Sequence, residues 1–275
     1  MKTTNNINGI PLHYARLTNH PYGTKGQQRN FSVDETFLPI LKKAFKEVFE
    51  NCPLGTPEII TTAGIFVDKP GQHGHGRAFD LDAIFWQDQS LVTLNFTHQK
   101  ELYLGIESFL RKHFGLVLNH FYPNHEDHWH MDASVPVDFN ERSQSETLYV
   151  QMTLKYLYGE EILVDGLWGP QTKRMVKTVF DKLQIPTPIT TKSNYLQFLD
   201  LTGKIAFELC KRKNTPLHLI DNLTEVLEGL PMQNRNSVLE ALNSFIDHEE
   251  TASWLNGFTG HSENDIDTII ESLIT

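Results

Sequence analysis

Cysteine is scarce in this chain, which has only Cys52 and Cys210 among its 275 residues. Two cysteines are too few for a disulfide framework. They also exclude a zinc site of the cysteine type. A bridge between them would need the fold to bring them together, so we expect two buried thiols instead.

The chain also has no excess of basic over acidic residues and no long apolar runs. Lysine and arginine number 24 against 34 acidic residues, a formal net charge of −10. This balance argues against nucleic acid as a partner, because phosphates attract a basic face. No apolar stretch is long enough to insert into a membrane. The N-terminus, MKTTNNINGIPLHYARL, lacks the apolar run of a signal peptide, which predicts synthesis in the cytoplasm and delivery by a non-classical route.

The pattern of apolar residues predicts an α+β fold for the first half of the chain. Residues 1–30 are polar and turn-rich, and they are expected to be a surface lead-in. Ser32 is expected to open the first helix as its capping residue. Helical and alternating spacings predict helices over 32–51 and 97–114, and strands over 58–62, 79–85, 116–118 and 128–133.

The second half has a different character. A polar linker over 141–146 separates it from the first half. Helical spacing predicts helices over 147–158, 171–183, 194–212, 216–229, 235–248 and 263–274. The predicted organisation is an α+β domain (1–140) with a small antiparallel sheet flanked by helices, then an all-α region divided into 145–190 and 191–275.

Two short segments, GQHGHGRAFDLD and NHEDHWHMD, concentrate the residue types that bind transition metals. Imidazole and carboxylate ligands without thiolate suit a catalytic zinc site, in which three protein ligands leave a position for water. Two aspartates on the same side of a strand are also costly unless a cation faces them. The candidates are His73, His75, Asp80, Asp82, His125, His128 and His130.

The spacing of the second segment separates two roles. His128 and His130 are two residues apart, so on a strand they share a face, with Asp127 on the opposite face. One histidine can bind metal while the other stands beside the water that the metal activates. A neighbouring histidine or carboxylate would take the proton from that water and pass it to the leaving amine.

These segments resemble a known family. HGHGRAFDLD resembles the H-x-x-G-x-A-x-D motif of the LAS-type zinc peptidases, which include D-alanyl-D-alanine carboxypeptidases, murein endopeptidases and several phage endolysins. FGLVLNHFYPNHEDHWHMD resembles the corresponding segment of the extensin-like branch. The resemblance covers roughly residues 55–135 and implies that His73, Asp80 and His130 bind Zn²⁺.

The resemblance leaves the catalytic base open between two residues. Members of the family with an H-x-H pattern use the first histidine, here His128, and others use an acidic residue at the position of Asp127. His128 is favoured because strand geometry places it on the face of the ligand. His125 would then steady the oxyanion or the substrate. His75 is expected to be a loop residue, and Asp82 an acceptor near the site.

Two departures from the family pattern bear on the substrate. Gly71 replaces the serine usually found two residues before the first ligand. An arginine that clamps the substrate carboxylate in the carboxypeptidases is not evident near TTAGIFVDKP. The second departure favours an endopeptidase over a carboxypeptidase.

Residues 147–184 resemble the small helical peptidoglycan-binding domain found in many wall hydrolases. The segment VDGLWGPQT has the pattern V-D-G-x-W-G-P-x-T between two helices. Asp165 and Gly166 are expected to make a tight turn, and Pro170 suits the first turn of the following helix. Leu167 and Trp168 have the alternative interpretation of core residues.

Together the two resemblances predict a zinc-dependent peptidoglycan hydrolase that cuts a peptide bond in the stem or crosslink. It would act in the periplasm or cell wall, as a phage lysis enzyme or as an effector delivered by a secretion machine. An immunity or carrier protein would be a further partner. The alternatives are a non-catalytic peptidoglycan-binding protein on a degenerate peptidase fold, and a zinc hydrolase of a non-wall peptide.

Overall fold

A computed structural model describes residues 1–213 of the chain and shows the α+β fold that the sequence predicts. The strands in this range are β1 Lys2–Thr4, β2 Asn6–Ile7, β3 Ile10–Tyr14, β4 Gln27–Gln28, β5 Phe31–Val33, β6 Ile59–Gly64, β7 Ala78–Phe85, β8 Ser90–Val92, β9 Leu116–Leu118 and β10 Trp129–Asp132. The helices are α1 Phe37–Asn51, α2 Lys100–Arg111, α3 Gln144–Tyr156, α4 Pro170–Leu183 and α5 Lys192–Lys213. The helices predicted over 216–229, 235–248 and 263–274 lie outside the described residues.

The main sheet is mixed and has eight strands, so the predicted small antiparallel sheet is wrong. Its central order is β2-β3-β6-β7-β10-β9, with β4 beside β3 and β8 beside β7. Strands β3 and β6 run parallel, with Leu12 opposite Ile60, and the other pairs of this sheet are antiparallel. Strands β1 and β5 form a separate two-stranded sheet.

The N-terminal segment corrects a second prediction, because residues 1–30 are not a surface lead-in. They supply β1 to β4, and Leu12 on β3 is fully buried. These strands are two to five residues long. Such short strands give no sustained alternation, which is the signal that distinguishes a strand from a polar loop.

Helix α1 begins at Phe37, five residues after the predicted start at Ser32. Ser32 lies in β5, opposite Thr3 of β1. The capping is done by Asp34, whose Oδ1 accepts hydrogen bonds from the backbone N–H groups of Thr36 (2.9 Å) and Phe37 (3.2 Å). A carboxylate here satisfies two donors that the first turn of a helix leaves without intrahelical partners.

The paired strands β7 and β10 have two chemically different faces. On one face Phe79 and Trp129 are fully buried. Phe79 packs against Phe45 of α1, with ring centroids 5.6 Å apart, and Trp129 packs against Tyr103 of α2 at 4.0 Å. Because side chains alternate along a strand, the next residues point to the opposite face, which therefore carries the polar residues of the candidate site.

Helix α3 begins at Gln144, so the end of the predicted linker over 141–146 is wrong. The Ser143 hydroxyl caps the helix by accepting a hydrogen bond from the N–H of Glu146 at 3.3 Å. The helix is buried against α2, where the Tyr149 and Ser108 hydroxyls lie 2.6 Å apart. Residues Met1–Leu209 form one compact unit. The domain boundary near residue 140 stays a prediction.

Two composition-based expectations can be compared with the fold. Cys52 and Cys210 are both buried, as predicted. None of the helices within residues 1–213 combines the length and apolar character of a bilayer-spanning segment.

Glu146 makes the stability of the fold dependent on pH. Its side chain is buried and accepts a hydrogen bond from the N–H of Asn140, and burial raises its pKa from 4.5 to about 7. The folded chain therefore holds the proton more tightly than the unfolded chain. The contribution of Glu146 to stability is full below pH 4.5 and declines as the pH rises to about 7.

We expect Glu146→Gln to remove this dependence. Between about pH 5 and about pH 8, the wild-type free energy of unfolding should fall by about 2–3 kcal/mol relative to that of the variant. Urea unfolding of both proteins at the two pH values measures the difference. Parallel pH profiles for the two proteins would contradict the prediction.

Candidate metal centre

Three residues predicted as metal ligands lie together on the polar face of β7 and β10. Asp80 on β7 stands directly opposite His130 on β10, and a short 3-10 turn brings His73 over both. Asp80 Oδ2 lies 3.0 Å from His73 Nε2, and Asp80 Oδ1 lies 2.9 Å from His130 Nδ1. The two imidazole nitrogens are 3.2 Å apart. Each of the three side chains offers one ligand atom, and these three atoms lie within 4.8 Å of one another.

The outer hydrogen bonds determine which nitrogen of each imidazole faces the cluster. His73 Nδ1 lies 2.8 Å from the carbonyl oxygen of Ile65, to which it donates, and Nε2 is left for a metal. His130 Nε2 lies 3.3 Å from Asp132 Oδ2, and Nδ1 is left for a metal. Such partners behind the ligands fix the orientation of the rings in metal sites.

The electrostatics of the cluster favour a cation. Burial acts to raise the pKa of Asp80, but hydrogen bonds with His130 and His73 hold it well below its usual range. Burial acts to lower the pKa of His130, but the Asp132 and Asp80 carboxylates outweigh it and raise this pKa to about 9. The site therefore attracts positive charge, as a proton on His130 or as a metal ion.

Glycines shape the turn that carries His73. Gly76 has φ of 64°, a left-handed conformation that side chains rarely adopt. A Cβ atom on Gly74 would lie 2.1 Å from the backbone oxygen of Lys69. The turn can therefore approach the preceding loop only because this position has no side chain.

His128 and Asp127 form a hydrogen-bonded pair beside the cluster. His128 Nδ1 donates to Asp127 Oδ1 at 2.7 Å, and His128 Nε2 lies 3.9 Å from Asp80 Oδ1. The strand predicted over 128–133 spans only Trp129–Asp132, so strand alternation extends to neither Asp127 nor His128. The placement of Asp127 on the opposite face is therefore wrong, and His128 borders the cluster from the segment before the strand. Hydrogen bonds from His128 and Arg16 outweigh partial burial and hold the pKa of Asp127 below its usual range.

Arg16 was missed by sequence reasoning. Its guanidinium donates from Nε and Nη2 to Asp82, at 3.0 and 2.7 Å, and from Nη1 to Asp127 at 2.9 Å. Asp82 is fully buried, so its charge depends on this partner. Arg16 is 66 residues from Asp82 in the chain, and no local spacing could have identified it.

Asp132 was also missed, although a signal existed. It follows His130 by two residues on β10, and strand alternation therefore places both on one face. Its Oδ1 accepts a hydrogen bond from the N–H of Ser134 at 2.8 Å, which leaves Oδ2 directed at His130.

The remaining candidates take different positions. The ring centroid of His125 lies 4.9 Å from that of His128 and 6.0 Å from that of His130, so His125 borders the cluster. Its Nδ1 lies 2.9 Å from the Pro123 carbonyl oxygen, and partial burial lowers its pKa. His75 is exposed on the turn.

The segment that resembles a peptidoglycan-binding domain is organised by Gln151 of α3. Its Oε1 accepts hydrogen bonds from the N–H groups of Asp165 (3.0 Å) and Gly166 (2.8 Å), which lie in a bend where the sequence predicts a tight turn. Pro170 starts α4, as predicted. Leu167 is 68% exposed, which rules out a core position for it, whereas Trp168 is half-buried against Phe139.

Comparison of the chain with protein-family models, curated proteins and solved structures finds no match.

Proposed function

We propose that this protein is a zinc-dependent peptidase that cuts a peptide bond in the stem or crosslink of peptidoglycan. The observation that carries the proposal is the cluster of His73, Asp80 and His130, with the His128–Asp127 pair beside it. The substrate class rests on the resemblance of the two metal-binding segments to LAS-type peptidases, and of residues 147–184 to wall-binding domains.

The donor set fits zinc. Two imidazoles and one carboxylate, without thiolate, leave a further coordination position, as in catalytic zinc sites. Each imidazole makes a hydrogen bond through the nitrogen that points away from the cluster, His73 with the Ile65 carbonyl oxygen and His130 with Asp132. When bound, zinc would polarise the scissile carbonyl and make water a stronger nucleophile.

His128 is the residue best placed to move the proton. The Asp127 carboxylate only accepts hydrogen bonds, so His128 Nδ1 carries the proton of their 2.7 Å contact. In the neutral form of the ring Nε2 has the lone pair, and this atom lies 3.9 Å from Asp80 Oδ1. In that position it can take a proton from water and return it to the leaving amine. Asp127 orients His128 instead of acting as the base itself.

The charges around Arg16 support an endopeptidase. A carboxypeptidase must bind a terminal carboxylate, and Arg16 supplies the guanidinium beside the cluster. Its charge is already opposed by two carboxylates, Asp82 and Asp127. A substrate with an internal peptide bond brings no further negative charge to this position.

Digestion of purified sacculi tests the proposal. Mass spectrometry of the muropeptides, with and without a chelator, should show zinc-dependent loss of crosslinked dimers. Loss of only a terminal D-alanine would make the enzyme a carboxypeptidase. The proposal would be overturned if the muropeptides stay intact while the zinc-loaded protein still binds to sacculi in a pull-down. That result would favour the alternative of a non-catalytic binding protein.

Gly74→Ala should weaken zinc binding without unfolding the chain. The added Cβ atom would lie 2.1 Å from the Lys69 carbonyl oxygen, so the turn must move and displace His73. We expect the zinc affinity to fall about 10- to 100-fold, as for other changes behind metal ligands. Competition with a fluorescent chelator measures the affinity. Gly169→Ala, whose Cβ atom would meet nothing within 4 Å, is the control, and equal affinities in the two variants would contradict the prediction.

A further inference from the structure

Arg16 lies where three elements of the molecule meet. It follows β3 in the chain, pairs with Asp82 on β7, and reaches Asp127 just before β10. The Arg16 guanidinium carbon lies 5.3 Å from the centroid of the Tyr22 ring. Two hydrogen bonds to Asp82 and one to Asp127 fix the plane of the guanidinium, as the planar fork of arginine allows.

Asp127 is held at both its side chain and its backbone. Its Oδ2 accepts from Arg16 at 2.9 Å while its Oδ1 accepts from His128 at 2.7 Å, so each oxygen has one partner. Its carbonyl oxygen lies 2.6 Å from the Thr93 hydroxyl, which is itself 3.0 Å from the Tyr22 hydroxyl. Rotation of the Asp127 carboxylate would break the contact with Arg16.

We propose that Arg16 is a positioning residue that acts through Asp127 on His128. By holding Asp127 Oδ2, it keeps Oδ1 on His128 Nδ1 and so maintains the tautomer in which Nε2 has no proton. The kinetic consequence rests on the proposed peptidase function. The effect on the tautomer does not.

The tautomer can be observed directly by long-range ¹H–¹⁵N NMR of the histidine rings under conditions in which His128 is neutral. The wild-type spectrum should show His128 as a single tautomer with the proton on Nδ1. Arg16→Lys keeps the charge but cannot reproduce the fork, and should give a mixture of tautomers. The matched control is Arg29→Lys, because Arg29 belongs to the same N-terminal segment and lies over Tyr14, 5.5 Å from the ring centroid. If His128 in Arg16→Lys is still a single tautomer with the proton on Nδ1, as expected for the wild type, the proposal is overturned.

Kinetics on a crosslinked muropeptide test whether Arg16 acts through Asp127. Arg16→Lys should lower kcat about 10- to 100-fold with KM unchanged, as for other partners behind a functional residue. Asp127→Asn leaves the Arg16–Asp82 pair in place, so it remains informative if Arg16→Lys fails to fold. In the Asp127→Asn background, Arg16→Lys should lower kcat no further.

Two kinetic outcomes would overturn the proposal. A raised KM with unchanged kcat in Arg16→Lys would mean that Arg16 binds the substrate directly. Full additivity of the two substitutions would mean that Arg16 acts independently of Asp127. If the wild-type protein cleaves no muropeptide, the proposed function fails, and the NMR comparison still decides the role of Arg16.

Discussion

His128→Ala is expected to lower kcat for a crosslinked muropeptide by about 100- to 10,000-fold, the usual contribution of a positioned general base. The imidazole is oriented by Asp127 through a 2.7 Å hydrogen bond, and its Nε2 faces the metal cluster. Alanine removes the proton acceptor but none of the three proposed metal ligands. Zinc content should therefore stay at the wild-type level while turnover is lost. Steady-state kinetics and metal analysis of the same preparation measure both quantities.

His75→Ala is the matched control for that experiment. His75 lies on the turn of His73 but is exposed, and the metal cluster does not include it. Its removal should leave kcat unchanged. Wild-type turnover in His128→Ala would show that another group accepts the proton, and the base would have to be sought at Asp127.

The second large effect concerns stability. Glu107→Gln should destabilise the fold by about 3–5 kcal/mol, because it leaves the buried Arg111 guanidinium without its counter-charge. Arg111 donates to Glu107 at 2.8 Å, and both side chains are buried. Glu107 also accepts hydrogen bonds from Asn119 (2.9 Å) and from the Trp129 indole (3.3 Å). The second bond connects Glu107 to β10, on the face opposite the metal cluster. Urea unfolding of the zinc-free protein gives the free-energy difference.

A surface pair of the same spacing provides the control. Lys177 and Asp181 form an i,i+4 ion pair on α4 with both side chains more than 60% exposed. Lys177→Met should cost less than about 0.5 kcal/mol, because exposed pairs of this kind contribute little. Equal costs for Glu107→Gln and Lys177→Met would contradict the assignment of Glu107 and Arg111 as a buried ion pair.

The sequence was most informative where chemistry and spacing are local. Residue types in two short segments gave seven candidates, and the resemblance to LAS-type peptidases selected His73, Asp80 and His130 among them, which the fold brings together. The helix and strand types around them were also predictable, because α1, α2 and β7 carry apolar residues at helical or alternating spacing.

The sequence was least informative where the fold joins distant segments. Strand β3 enters the sheet beside β6, although nearly fifty residues separate their starts, and its five residues give too little pattern to predict a strand. Arg16 reaches the site only because β3 takes that position. The hydrogen bond between Arg16 and Asp127 spans 111 residues. Pairings over such distances depend on the complete topology, which a single sequence does not reveal.

The central claim is that His73, Asp80 and His130 bind zinc, and metal analysis of purified variants tests it most directly. Mass spectrometry should find one zinc ion per chain in the wild-type protein and in His75→Ala. The variants that remove a ligand are His73→Ala, Asp80→Asn and His130→Ala. Each should lose more zinc affinity than the about 10- to 100-fold that is lost when a hydrogen-bond partner of a ligand is changed. Retention of zinc with wild-type affinity by these three variants would contradict the claim.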